Sequence, residues 1–379
     1  MRRARARLVV GTDGQISPFR SRIAYDFGPA QEGQPPPPPA SYASWLEATG
    51  GAYGIVHLGS ERWRLSPGVR AQGFLFGEAR RAALDPRLSA RVAVGERVTL
   101  DAGVGRYSQL AISQLRLDGG FVEQVADDFA PTVQLPSALA ASFEPRVPLA
   151  DVGLAARVVS ATQASASVEV ALPWQLDLRV GGFVRDYHDP GGAELLLTGA
   201  GRSGDGSITG LDYGGELLLR RRISRRLYGW IAYTIMRSTR HTSEGTVRGD
   251  FDQPHNLVVV ASYRLPRGFR LGGRFRVTSG NPYRPVVGVA ELDELHPATS
   301  STPIFGPDNS ARFPTFHQLD IRIDKQWILP HATITGYLDV QNVYNRQNVE
   351  AWIHQPDYRG LIGAFGLPVL PILGVRVDY

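Results

Sequence analysis

The chain has 379 residues, 43 % hydrophobic and 20 % charged, which excludes a disordered chain and leaves room for a large core or one large β architecture. Without cysteine it has no disulfide, no thiolate nucleophile and no Cys-based zinc or iron–sulfur site. The formal charge of +5 is spread along the chain, with Lys325 the only lysine, so nothing gathers into a nucleic-acid patch.

The N-terminal Met1-Arg2-Arg3 is basic, but Leu8-Val9-Val10 falls short of the roughly 7–15 apolar residues of a secretory signal. No window holds the roughly 20 apolar residues of a membrane helix. A transmembrane barrel stays open, because its strands alternate apolar and polar residues and escape hydropathy averaging. Period two predicts strands at 3–11, 20–28, 50–58, 62–75, 87–94, 97–107, 162–172, 175–187, 207–221, 227–237, 255–265, 268–279, 316–328, 332–344 and 372–379. In the segment after Phe316, Leu319, Ile321, Ile323 and Trp327 share one face; Gln318, Asp320, Arg322 and Asp324 share the other. Leu271, Phe275 and Val277 likewise oppose Arg270, Arg274 and Arg276. No helical segment and no second domain is expected. The five-proline run Pro35 to Pro39 reads as a stiff polyproline II spacer within a loop.

Two features separate a transmembrane barrel from a soluble sandwich. The alternating runs are about 10 residues or more, against about 5–6 for typical soluble strands. Tilted by about 45°, such a run spans close to the 25 Å apolar band of an outer-membrane barrel. The connections also alternate. Short ones lie at Gly95-Glu96, Pro173-Trp174, Ile223 to Arg226, Pro266 to Gly268 and Leu329-Pro330. Long ones cover about 28–44, 109–151, 188–207, 237–252, 281–314 and 346–371. Trp63, Trp174, Phe269 and Trp327 stand beside short turns, as an interfacial aromatic girdle does.

Catalytic and metal signatures are missing from the sequence: no H-E-x-x-H pair, no G-x-S-x-G elbow and no P-loop. His241, His255, Asp250 and Asp252 lie near one loop without ligand spacing, and read as a solvated loop. Gly199-Ala200-Gly201 and Gly204-Asp205-Gly206 have no following helix to cradle a phosphate. Asp177, Asp320 and Asp324 have arginines in register and read as cross-strand ion pairs. No enzyme and no cofactor is expected.

Several blocks in combination resemble the barrel of TonB-dependent outer-membrane receptors. They are Gly249-Asp250-Phe251-Asp252-Gln253-Pro254-His255-Asn256-Leu257, Tyr263 to Gly268, Ser279-Gly280-Asn281-Pro282-Tyr283, Phe316 to Lys325 and Leu338-Asp339-Val340-Gln341-Asn342-Val343-Tyr344-Asn345. Upstream, Leu65 to Arg70 and Asp85-Pro86-Arg87-Leu88 resemble strand entries of the same barrels, so the likeness covers about 50–379. Gly374, Val377 and the terminal Tyr379 fall where such barrels carry their C-terminal assembly signal.

The resemblance implies an all-β antiparallel barrel of about 14–16 strands, an incomplete part of a 22-stranded barrel, forming a single domain over 1–379 without a plug. It implies an outer-membrane location and partners in outer-membrane lipid and the barrel-assembly machinery. It also implies uptake of a small-molecule nutrient such as a siderophore, cobalamin or an oligosaccharide. The family's signal peptide, energy-coupling motif and plug have no counterpart in the sequence, so the TonB system is implied only if a plug is supplied. The chain reads as the C-terminal two-thirds of such a barrel, truncated or begun at an internal methionine. An open seam is expected between 3–11 and 372–379. A passive or non-functional pore and a soluble or surface β-sheet binding protein remain open as alternatives.

Overall fold

The computed structural model describes residues 5–23, 41–76, 79–112, 156–189, 208–221, 226–242, 245–291, 301–355 and 358–379. The long strands are β1 (Arg5–Ile23), β2 (Ser41–Gly59), β3 (Trp63–Phe76), β4 (Ala79–Val94), β5 (Val98–Ile112), β6 (Ala156–Leu172), β7 (Leu176–Asp189), β8 (Ile208–Arg221) and β9 (Leu227–Thr242). The short β10 (Gly245–Arg248) leads to β11 (His255–Arg264) and β12 (Phe269–Thr278). Loop strands β13 (Pro282–Tyr283), β14 (Val286–Glu291), β15 (Ser301–Phe305) and β16 (Ala311–Arg312) precede β17 (Phe316–Ile328) and β18 (Thr333–Gln341). The chain ends with β19 (Val349–His354), β20 (Leu361–Phe365) and β21 (Leu370–Asp378).

One antiparallel path joins β1 through β9, then β11, β12, β17, β18 and β21, with β10 folded against β9. The remaining strands form two-stranded pairs, β13 with β16, β14 with β15 and β19 with β20, in the long connections at one end. The other end carries tight turns. Two of them, Pro173–Gln175 and Pro266–Gly268, share one geometry: Trp174, Gln175, Arg267 and Gly268 all have φ between 59° and 76°. Two consecutive left-handed residues make the type I′ hairpin that suits the twist of paired strands. Among the described residues no ladder joins β1 to β21.

The burial pattern is inverted relative to a soluble protein. Among the described residues the only buried hydrophobic side chains are Phe74 and Phe76, whereas Asp85, Asp252 and Asn342 are fully or nearly fully buried. Leu8, Leu88, Leu100, Val180, Leu217, Ile231, Leu271, Ile323, Leu338 and Val375 lie exposed on one face across the sheet. A sandwich would bury that face against a second sheet; a barrel turns it to lipid. Trp63, Tyr263, Phe269 and Trp327 gather at its tight-turn margin, with Trp174 on a turn tip, in the pattern of an interfacial girdle.

Three expectations need correction. The segments 3–11 and 20–28 are not two strands: residues 5–23 run as one strand, paired throughout with 41–59. Asp13-Gly14 carries a turn signature and Pro18 a strand-breaking one, but among the described residues β1 has a partner on one side only, and an edge strand tolerates proline. Strand β4 starts at Ala79 rather than 87 and follows β3 after only two residues, which interrupts the alternation of short and long connections once. Asp85-Pro86 reads as a strand entry, yet the strand passes through it. The β4–β5 ladder ends at Arg87–Gly105, just before Pro86. Beyond it the Asp85 carboxylate accepts the backbone N–H of Ser108 at 3.1 Å and its hydroxyl at 2.7 Å, replacing the missing ladder bond. The proline run 35–39 and the glycine-rich stretches at 199–206 lie outside the described residues.

Candidate functional site

The face opposite the apolar one carries the charge. Register places complementary residues directly across from one another on neighbouring strands: Arg70–Asp85, Arg91–Asp101, Glu169–Arg179, Asp177–Arg220, Arg185–Asp212, Arg270–Asp324, Arg274–Asp320 and Arg322–Asp339. Arg274 reaches Asp320 at 2.7 Å, and Arg220 reaches Asp177 at 3.2 Å. Arg322 lies 2.9 Å from Asp324 and 3.7 Å from Asp339, and its guanidinium sits 3.8 Å from the centre of the Tyr337 ring. The carboxylates read from sequence as cross-strand pairs are therefore paired. Opposite charges facing each other across strands stabilise by roughly 0.2–1 kcal/mol per pair, and they keep a charged wall compatible with a continuous sheet.

Part of this wall forms a recess of about 800 Å³. Its floor is a row of small or hydroxyl side chains in register, Ser66, Ser89, Gly103 and Ser165. His57 closes one end of the row, with Nδ1 2.8 Å from the Ser66 hydroxyl. Arginines border it: Arg64, Arg91 and Arg179 on the tight-turn side, Arg185 on the other. None of these residues stands out as a group in the sequence. Period two shows that they face one way, but only the register shows that they are neighbours.

At the long-loop end the blocks that carried the family resemblance tie the rim together. Asp252 is fully buried; its carboxylate accepts the Ser238 N–H at 2.7 Å and the Arg312 guanidinium at 2.7 Å, with Arg237 at 3.8 Å. Arg312 also donates to the Gly280 carbonyl at 2.9 Å, and Gln253 donates to Asn281 at 2.8 Å. The 249–254 and 279–283 blocks are thus halves of one knot. Asp250 accepts from Asn309 at 2.7 Å, His255 stacks on Tyr233 and His241 bonds Thr246, so the four residues near that loop turn to different partners.

Asp320 accepts the Asn342 N–H at 3.0 Å, and the Asn342 side chain spans the carbonyls of Arg346 and Leu367. Tyr344 meets His317 Nδ1 at 2.9 Å, and burial pushes its phenol pKa above the ordinary value. An aromatic row, Tyr283, Phe313 and Trp352, links two loop pairs with ring centres 4.7 and 6.2 Å apart.

The terminal pattern lies on β21. Gly374 is opposite Tyr337, Val377 is opposite Ile334 on the apolar face, and Tyr379 ends the chain fully exposed.

A long antiparallel path with an apolar outside, a charged inside, tight turns at one end and elaborated loops at the other defines an outer-membrane β-barrel fold. More narrowly, it is the barrel fold of TonB-dependent receptors. The E. coli K12 ferric-catecholate import receptor Fiu aligns over 98 % of this chain and 52 % of its own, with 10 % identity and a TM-score of 0.60. P. aeruginosa FpvA, solved with heterologous pyoverdines, aligns over 98 % and 45 %, with 12 % identity and a TM-score of 0.63. The copper transporter OprC aligns over 98 % and 53 %, with 15 % identity and a TM-score of 0.55. The chain thus spans about half the length of these structures. No family model and no curated protein matches the sequence.

Proposed function

We propose that this chain is the barrel portion of an outer-membrane receptor of the TonB-dependent type, taking up a scarce small-molecule nutrient of the siderophore, cobalamin or oligosaccharide class. The observation that carries the reading is the alignment of 98 % of the chain with receptor barrels, joined to an inside-out distribution of polarity. The neighbours are transport receptors, which favours uptake over catalysis. In this reading residues 1–379 form one barrel domain in the outer membrane. Gly374, Val377 and Tyr379 present the assembly signal to the barrel-assembly machinery, and the TonB system acts through a plug that this domain does not contain. The soluble-sheet alternative loses support from the unburied apolar face; a passive pore keeps some from the uncovered charged face.

Two measurements test it. The protein should leave membranes only with detergent and migrate differently on gels before and after heating. In cells stripped of their own receptors, it should support growth on a panel of ferric siderophores, cobalamin and maltodextrins only when TonB is present. Growth without TonB would favour the passive pore, and a detergent-free soluble protein would end the barrel reading.

A further inference from the structure

Register sorts the cations at the tight-turn end of the sheet into two kinds. On the charged face they neutralise carboxylates: Arg220 holds Asp177, Arg322 and Arg270 hold Asp324, and Arg376 holds Asp378. Four others, Arg221, Arg226, Arg267 and Lys325, make no ion pair with a described residue. Arg221 closes β8 in the register of Leu217 and Leu219, on the apolar face, and its Nε is buried without a hydrogen-bond partner. Lys325 lies on that face too, opposite Phe269. Arg226 precedes β9 and Arg267 tips the Pro266–Gly268 turn, both exposed. The two turns adjoin, because the Arg264 N–H donates to the Arg226 carbonyl at 2.7 Å.

Lys325 is the only lysine of the chain. Its ammonium donates to the Arg267 carbonyl and lies 4.6 Å from the centre of the Phe269 ring and 5.7 Å from that of Trp327. A lysine that leaves an apolar face for a turn, past two aromatic rings, places its charge in the headgroup layer of a bilayer. Cations there take their counter-ions from lipid phosphates. The acids of this sector face the other way, and the carboxylate of Tyr379, at the end of β21, is separated from β17 by β18.

We infer that this margin binds the phosphate of an anionic phospholipid in the leaflet at the tight-turn end. Lys325 and Arg221 reach it from the apolar face, and Arg226 and Arg267 from the turns. The inference rests on the barrel reading. The site lies outside the wall, so it does not depend on what fills the lumen.

The test uses the full chain in neutral detergent micelles, first checked for heat-modifiable migration. Phosphatidylglycerol, phosphatidylcholine and glycerol 3-phosphate are titrated separately, and native mass spectrometry counts the molecules retained. Phosphatidylglycerol should be retained saturably and phosphatidylcholine about fivefold less or weaker still. Glycerol 3-phosphate should neither be retained nor displace the lipid. Lys325→Gln and Arg267→Gln should each weaken phosphatidylglycerol retention about fivefold, and Lys325→Arg should keep it. Arg179→Gln, which removes the same charge opposite Glu169 on the charged face, should leave it unchanged. Equal retention of the two lipids, or an equal loss in Arg179→Gln, would overturn the inference. So would displacement by glycerol 3-phosphate, the result of a site for a free anion. A preparation with the heat shift that retains no phosphatidylglycerol would overturn this site alone. A preparation without the shift would overturn the barrel reading, and this site with it.

Discussion

The ring of Tyr337 lies across the sheet over Gly374, so close that a Cβ on the glycine would come within 2.3 Å of it. The same arrangement recurs at the opposite edge of the sheet, where Tyr53 covers Gly11 and a Cβ would meet its hydroxyl at 2.4 Å. An aromatic ring laid over a glycine on an edge strand pins the register and covers exposed backbone. On β21 it ties the last strand to a chain of contacts, because Tyr337 also supports the guanidinium of Arg322.

Replacing Gly374 by alanine should therefore displace the Tyr337 ring and destabilise the protein by about 1–3 kcal/mol, the usual range for overpacking. Urea unfolding in lipid vesicles measures this. Adding Tyr337→Ala should remove most of the clash, so that the two changes together cost less than their sum. Strict additivity would show that the ring does not hold the glycine strand.

Faces differ in what they tolerate. Ile323 sits on the apolar face between Leu271 and Leu338 in register. Ile323→Arg should cost about 2–4 kcal/mol near the bilayer midplane and lower the yield of heat-modifiable protein. The same arginine introduced at Gln326, exposed on the lumen face opposite Thr335, should insert normally. Equal yields for both would contradict the assignment of faces.

The turn at Pro173–Gln175 places Trp174 at φ 59° and Gln175 at φ 61°, a conformation that costs a non-glycine residue roughly 1 kcal/mol or more. The matching turn has Gly268 at the second position. Gln175→Gly should raise stability by up to about 1 kcal/mol, whereas Gly268→Gln should lower it by more, about 1–3 kcal/mol, because its Cβ would also meet the Gln326 backbone carbonyl at 2.6 Å. Reciprocal shifts in the urea midpoint are the expected result.

Asn342 is almost wholly buried and joins Asp320, Arg346 and Leu367. Asn342→Ala leaves two backbone carbonyls and one N–H without their partner, at about 1–3 kcal/mol for each group that water does not reach. Limited proteolysis should then cut the 343–369 loop faster while the strands stay protected.

Because the chain has no cysteine, single introduced thiols report sidedness cleanly. A cysteine at Ile353, exposed on β19, should react with a membrane-impermeant maleimide on intact cells, and one at Arg267 should not. Labelling at Arg267 would reverse the topology.

Much of this fold is carried by local pattern. Alternation over ten or more residues marks the two faces of β17, β12 and β7, because side chains of a strand point to opposite sides and lipid and water select opposite polarities. Tight turns with a proline entry are legible for the same local reason. Other features depended on partners distant in the chain. Asp13-Gly14 and Pro18 look like breaks, but a strand with one neighbour tolerates them once Ser41–Gly59 pairs along its whole length. Pro86 stays in β4 because the ladder to β5 stops at Arg87 and Asp85 bonds Ser108 in its place. The function of the 249–254 block was hidden too: Asp252 acquires its meaning from Arg312, sixty residues later. The opposition of Arg64 and Arg91 likewise exists only in the register of β3 against β4. Periodicity gives the side a residue faces, but which residue it faces depends on long-range pairing, and the charged recess is made of such pairings.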